Sequence, residues 1–111
     1  MPKGGGFPGM GGANMQQMLR QAQKMQQQML QAQEELDSRV YEASAGGGMV
    51  KAKVSGKRVV QELIIDPAAV DPDDVEMLQD LVLAAINEAL RIGEETREAE
   101  LAKVAPGMGA F

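Results

Sequence analysis

From residue 15 the apolar positions keep a 3-4-3-4 spacing: Met15, Met18, Ala22, Met25, Met29, Ala32, Leu36. That is the a and d seam of three heptads, and it predicts a helix from an Asn14 cap to about Asp37. Leu19 and Leu30 widen the stripe, and nine of the 24 residues from 14 to 37 are Gln on the remaining surface. A narrow seam with polar flanks fits a helix that touches one or two neighbours. Methionine makes that seam soft and adaptable.

The pattern then changes period. Arg39–Ala45 has strand character, and Gly46–Gly48 suits a turn. In Met49–Val54 the apolar Val50, Ala52 and Val54 alternate with Lys51 and Lys53, as on a half-buried strand. Gly56-Lys57 predicts a two-residue hairpin loop, with Val54 opposite Val59 and Val50 opposite Leu63. Arg58–Ile65 is the third strand. Its Val59, Leu63 and Ile65 are assigned to the core face, and Val60 and Ile64 to the other. A sheet that is apolar on both faces is not finished by one helix layer and is expected to meet another surface, such as a second copy of itself.

Asp66-Pro67 ends that strand, and Asp71-Pro72-Asp73-Asp74 opens a second helix running to about Lys103. Val75, Met77, Leu78, Leu81, Val82, Leu83, Ile86, Ala89, Leu90 and Ile92 make its first part strongly apolar. After Gly93 large apolar residues nearly vanish, so the last ten or so residues are expected to be solvated and to project. At 1.5 Å per residue the second helix is a rod of roughly 45 Å, whereas a compact domain of this size is about 35 Å across. The arithmetic points to an elongated dimer with protruding helical ends.

Composition narrows the functional classes. The chain has 111 residues, 44% of them apolar, and no Cys or His. Disulfide scaffolds, thiolate or imidazole metal sites, and nucleophiles activated by His are therefore excluded. No cofactor is called for and no small-molecule substrate is indicated. Nothing resembles a secretory signal or a membrane span, so the expected location is cytoplasmic. Residues 1–12, with six Gly and two Pro, read as a flexible tail, as do 105–111; 13–104 is taken as one domain.

The formal net charge is −5. Residues 1–37 are balanced, 38–65 are net +3, and 66–111 hold three basic against eleven acidic residues. Nucleic-acid contact must then be local. Lys51, Lys53, Lys57 and Arg58 form the best local footprint, against the plainer reading of a solvated strand and turn. Arg20 and Lys24 read as a solubilising helix face. Arg91, Arg97 and Lys103, interleaved with Glu, read as partners in helix ion pairs. Asp71, Asp73 and Asp74 lack EF-hand spacing, and Gly46–Gly48 has no phosphate-loop continuation. With three aromatic residues in all, base stacking has no support. An enzyme is not expected.

The element order, MLRQAQKMQQQMLQAQEEL, GGGMVKAKVSGKRVVQELIIDP and DPDDVEMLQDLVLAAINEAL together resemble the YbaB/EbfC family of bacterial nucleoid-associated proteins. The resemblance implies an α+β fold of order α-β-β-β-α: a three-stranded antiparallel sheet with two long helices in a tweezer-like homodimer. It implies binding of double-stranded DNA with loose sequence preference, a place in the nucleoid, and effects on gene expression. It attributes contact to the protruding helices, which here points to Arg20, Lys24, Arg91, Arg97 and Lys103. The charge pattern favours the hairpin group instead, and both assignments stand as expectations. The alternative is a dimeric protein-interaction adaptor that uses the Met/Gln-rich helical seam.

Overall fold

The computed structural model describes residues 8–104, with side chains from residue 14 onward. Helix α1 spans Pro8–Ser38, strands β1, β2 and β3 span Val40–Ala45, Val50–Ser55 and Val60–Ile65, and helix α2 spans Val75–Val104. Pro67–Ala69 forms a short 3-10 turn whose N-cap Asp66 accepts from Ala68 N–H. The order is the expected α-β-β-β-α, with β2 central in an antiparallel sheet. Helix α1 begins before Asn14, so that residue lies inside it and is not its cap. Pro8 suits a first helical position, where its missing N–H costs no intrahelical bond. Of the tail expected over 1–12, residues 8–12 belong to α1 instead, while 1–7 and the expected tail over 105–111 fall outside the described residues.

The core lies between one sheet face and α2. Tyr41, Ala43 and Ala45 stand opposite Val54, Ala52 and Val50, so six side chains share one face. Ala85 and Ala89 of α2 are fully buried against it, flanked by Leu78, Leu81, Val82, Ile86, Leu90 and Ile92. Small residues let the helix come close. At Gly93 an added Cβ would lie 3.1 Å from the Tyr41 ring, and at Gly46, which also has a φ of +64°, it would lie 2.9 Å from Leu81. Asp74 caps α2 by accepting from Met77 N–H at 3.2 Å.

The β2–β3 connection differs from expectation. Ser55 N–H donates to Val59 O at 2.9 Å and Arg58 N–H to Ser55 O at 2.9 Å, which closes a three-residue loop, Gly56–Arg58. Its left-handed position, φ 66°, is taken by Arg58. A three-residue loop puts a turn first and a left-handed residue third, so Gly56 is not needed there for its backbone freedom. Its need is spatial: a Cβ at Gly56 would meet Leu36 O at 1.9 Å. A register shift at Lys53/Val54 then pairs Val54 with Val60, Ala52 with Leu63, and Val50 with Ile65. This corrects the expected pairs of Val54 with Val59 and Val50 with Leu63. The longer loop moves Val60 to the core face in place of Val59, and the extra residue in β3, Gln61, returns Leu63 and Ile65 to that face.

Helix α2 covers β1 and β2 but leaves β3 bare. Val60, Leu63 and Ile64 remain about two-fifths exposed. The two helices meet at one end, running antiparallel: Asp37 meets Arg97, while Met29 and Gln33 face Leu101 and Ala102. The last turns of α2 thus lie along the end of α1, with Thr96, Arg97, Glu100, Leu101 and Val104 half-buried. They are not the free projection that their composition predicts. The projecting element is α1, exposed throughout 14–28. The molecule measures 89 × 22 × 16 Å.

Candidate nucleic-acid interface

Nine cations are candidates from the sequence, and the structure divides them by whether a carboxylate already holds them. Arg20 and Lys24 sit on the projecting part of α1 at an i,i+4 spacing that puts them on one face. Two residues along a helix is a rotation of about 200°, so Arg20 points away from Met18 and Lys24 from Ala22. The methionine seam and the cationic pair therefore occupy different faces. Among the described residues neither cation has a carboxylate within ion-pair distance. The nearest described carboxylates in α1 are Glu34, Glu35 and Asp37, at its other end.

The hairpin group does not act as one cluster. Lys53 lies on the open sheet face between Glu42 and Glu62, 3.8 and 3.7 Å from their oxygens. The first is its cross-strand partner in β1 and the second its partner in β3, so the sheet register itself neutralises it. Arg58 reaches α2 and donates to Glu94. Lys51 and Lys57 have no carboxylate partner among the described residues. Four strand residues separate Lys51 from the start of the loop that carries Lys57, about 13 Å.

On α2 every candidate is engaged. Arg91 Nε donates to Glu88 at 3.0 Å and its Nη1 to Glu95 at 2.6 Å. These charge-assisted bonds raise the Arg91 pKa further, chiefly through Glu88 and then Glu95, and the bond from Arg91 lowers that of Glu88. Arg97 donates to Asp37 across the helix pair. Lys103 lies 3.9 Å from Glu100. To bind a phosphate, each of these cations must share or release a carboxylate. Arg39, which the sequence counts only as charge, bonds Glu35 at 2.6 Å and approaches Glu100 at 3.7 Å.

Beside the helix contact lies an open groove of about 840 Å³, lined by Met29, Gln33, Glu95, Glu98, Ala99, Leu101 and Ala102. Among the described residues there is no acidic cluster fit to hold a metal ion, and no helix is long and apolar enough to cross a membrane.

The model of the YbaB/EbfC DNA-binding family matches residues 10–108. A nucleoid-associated protein of Clostridium acetobutylicum is 53% identical over 104 residues, covering 94% of this chain and 93% of its own. One from Acetivibrio thermocellus is 54% identical over 107 residues, covering 96% and 94%. Among solved structures, an uncharacterized protein from Helicobacter pylori superposes with a TM-score of 0.62 at 25% identity, over 76% of this chain and 88% of that one.

Proposed function

The chain belongs to the YbaB/EbfC DNA-binding family, and from that membership we propose that it binds duplex DNA as a homodimer, with low sequence specificity, through phosphate contacts made by its projecting first helices. The observation that carries this reading is the pair Arg20 and Lys24, two cations on an extended arm with no carboxylate partner among the described residues. Lys51 and Lys57 are the secondary candidates. Arg91, Arg97, Lys103, Lys53 and Arg58 contribute less, because their charge is already answered within the fold.

The exposed strand β3, apolar on both faces, supports the dimer. An edge strand with exposed Val60, Leu63 and Ile64 buries them most simply against another copy. Low specificity follows from the contact chemistry, since Arg and Lys on phosphates position a protein without reading bases. The acidic C-terminal half repels the polyanion, so few charges per dimer engage. Two phosphate contacts per arm give a salt slope of about −3.6 on a logarithmic scale. Binding of this kind places the protein in the nucleoid and gives it a route to gene expression.

Titration of a short duplex at several salt concentrations, beside light scattering, tests the proposal. Salt-sensitive binding by a particle of two chains is expected; affinity unchanged by salt, or a monomer at micromolar concentration, contradicts it. The adaptor reading is favoured by one observation: Met15, Met18 and Leu19 are each more than half exposed on the same arm. It predicts no duplex binding near physiological salt and capture of a protein through that seam.

A further inference from the structure

We propose that Arg97 is a positioning residue: its ion pair with Asp37 fixes the angle at which α1 leaves the body, and so sets where Arg20 and Lys24 lie. The proposal rests on the reading of α1 as the arm that meets DNA, and it reassigns Arg97 from phosphate contact to support.

The end of α1 is held at a few points. Leu36 is buried to 2% exposure. Gly56 backs against Leu36 O so closely that a Cβ there would lie 1.9 Å from it, and Gly56 N–H donates to Arg39 O at 3.0 Å. Arg97 donates to Asp37, and Arg39 approaches Glu100 at 3.7 Å. Leu36 and Gly56 fix the base of the helix, while the two ion pairs tie it to α2.

Of the ion pairs, Arg97–Asp37 is the most enclosed, at 27% and 31% side-chain exposure. Solvent and salt screen it less than the open pairs on α2. Beyond Met29 the helix is exposed. Arg20 is 17 residues from Asp37, a lever of about 26 Å. A ten-degree change at the base would carry Arg20 about 4–5 Å, more than one nucleotide step along a strand and far beyond the tolerance of a hydrogen bond.

Asp37→Asn separates the two roles. If Arg97 touched phosphate, Asp37→Asn would free it, remove a negative charge and tighten DNA binding. If Arg97 positions the arm, Asp37→Asn and Arg97→Gln both weaken binding, by about two- to fivefold. The charge-swapped double variant Arg97→Asp/Asp37→Arg restores it.

The absence of cysteine allows a second readout. Cysteines introduced at Gln17 and Asn87, both exposed, carry spin labels, and labelled chains are diluted with unlabelled ones to isolate the distance within a chain. The proposal expects both single variants to shift or broaden that distance by several ångströms, and the swap to restore it. Circular dichroism checks that each variant is folded. Unchanged distances in both single variants, or tighter binding by Asp37→Asn, overturn the proposal. If the unaltered protein binds no duplex, the reading of function fails while the distances still decide the role of Arg97.

Discussion

The two helices have nearly the same length, 31 and 30 residues, and opposite surroundings. Helix α2 lays alanines and aliphatic side chains on the sheet, and its three candidate cations are engaged by carboxylates. Among the described residues, helix α1 is anchored only near its C-terminal end, and Arg20 and Lys24 have no carboxylate partner. Counting charge by segment obscures this. What distinguishes a cation available to DNA is whether the fold already answers its charge: among the described residues both cations of the outer first helix are unpaired, whereas two of the four in the basic hairpin are already held.

The contrast can be broken most severely at the base of the arm. Gly56→Ala should cost more than about 3 kcal/mol, because the added carbon meets backbone that cannot move aside. Chemical denaturation would show this, and a midpoint within experimental error of the unaltered protein would refute the close approach. Next in size is a pair of truncations in one helix. Leu36→Ala should destabilise by about 2–5 kcal/mol, as for a buried leucine. Leu19→Ala, at 59% exposure, should change stability by no more than about 0.5 kcal/mol. A larger effect at Leu19 would show that the seam of the outer arm is buried in the assembled protein.

Binding should separate the two helices further. Arg20→Gln with Lys24→Gln should lower duplex affinity about tenfold or more at low salt and flatten the salt dependence in proportion to the number of phosphates no longer neutralised. Lys51→Gln with Lys57→Gln should have a smaller effect, since those two are far apart. The smallest expected effect concerns the ion pairs of α2. Glu88 has a lowered pKa because Arg91 donates to it. Whatever stability that pair contributes is present at neutral pH and is lost as pH falls below the ordinary carboxylate value of about 4.5. Arg91→Gln should remove that part of the acid dependence. Acid titration followed by circular dichroism would show it, and an unchanged acid profile would mean that solvent screens the pair completely.

Much of the fold is legible in the chain. The 3-4 seam marks α1, the Val50–Ala52–Val54 alternation marks the central strand, and the Asp-Pro steps mark the start of α2. The hairpin register is not legible, because Gly56-Lys57 reads as a complete two-residue turn. What lengthens the loop is the left-handed backbone at Arg58, a residue with no intrinsic preference for it. The candidate interface is legible only in part. Local pairing, such as Arg91 with Glu88 and Glu95, follows from helix spacing. The partners of Arg58 and Arg97 are 36 and 60 residues away, so only the folded arrangement of α1, the hairpin and α2 reveals that these cations are engaged. That Arg20 and Lys24 have no carboxylate partner among the described residues needs the same information, since the sequence does not show where α2 lies along α1.

The decisive measurement is the salt dependence of duplex binding for three proteins: the unaltered chain, Arg20→Gln/Lys24→Gln, and Arg91→Gln/Lys103→Gln. If the projecting helix makes the phosphate contacts, the slope falls only when the pair on α1 is removed. A slope that falls with the α2 pair and stays unchanged with the α1 pair would contradict it.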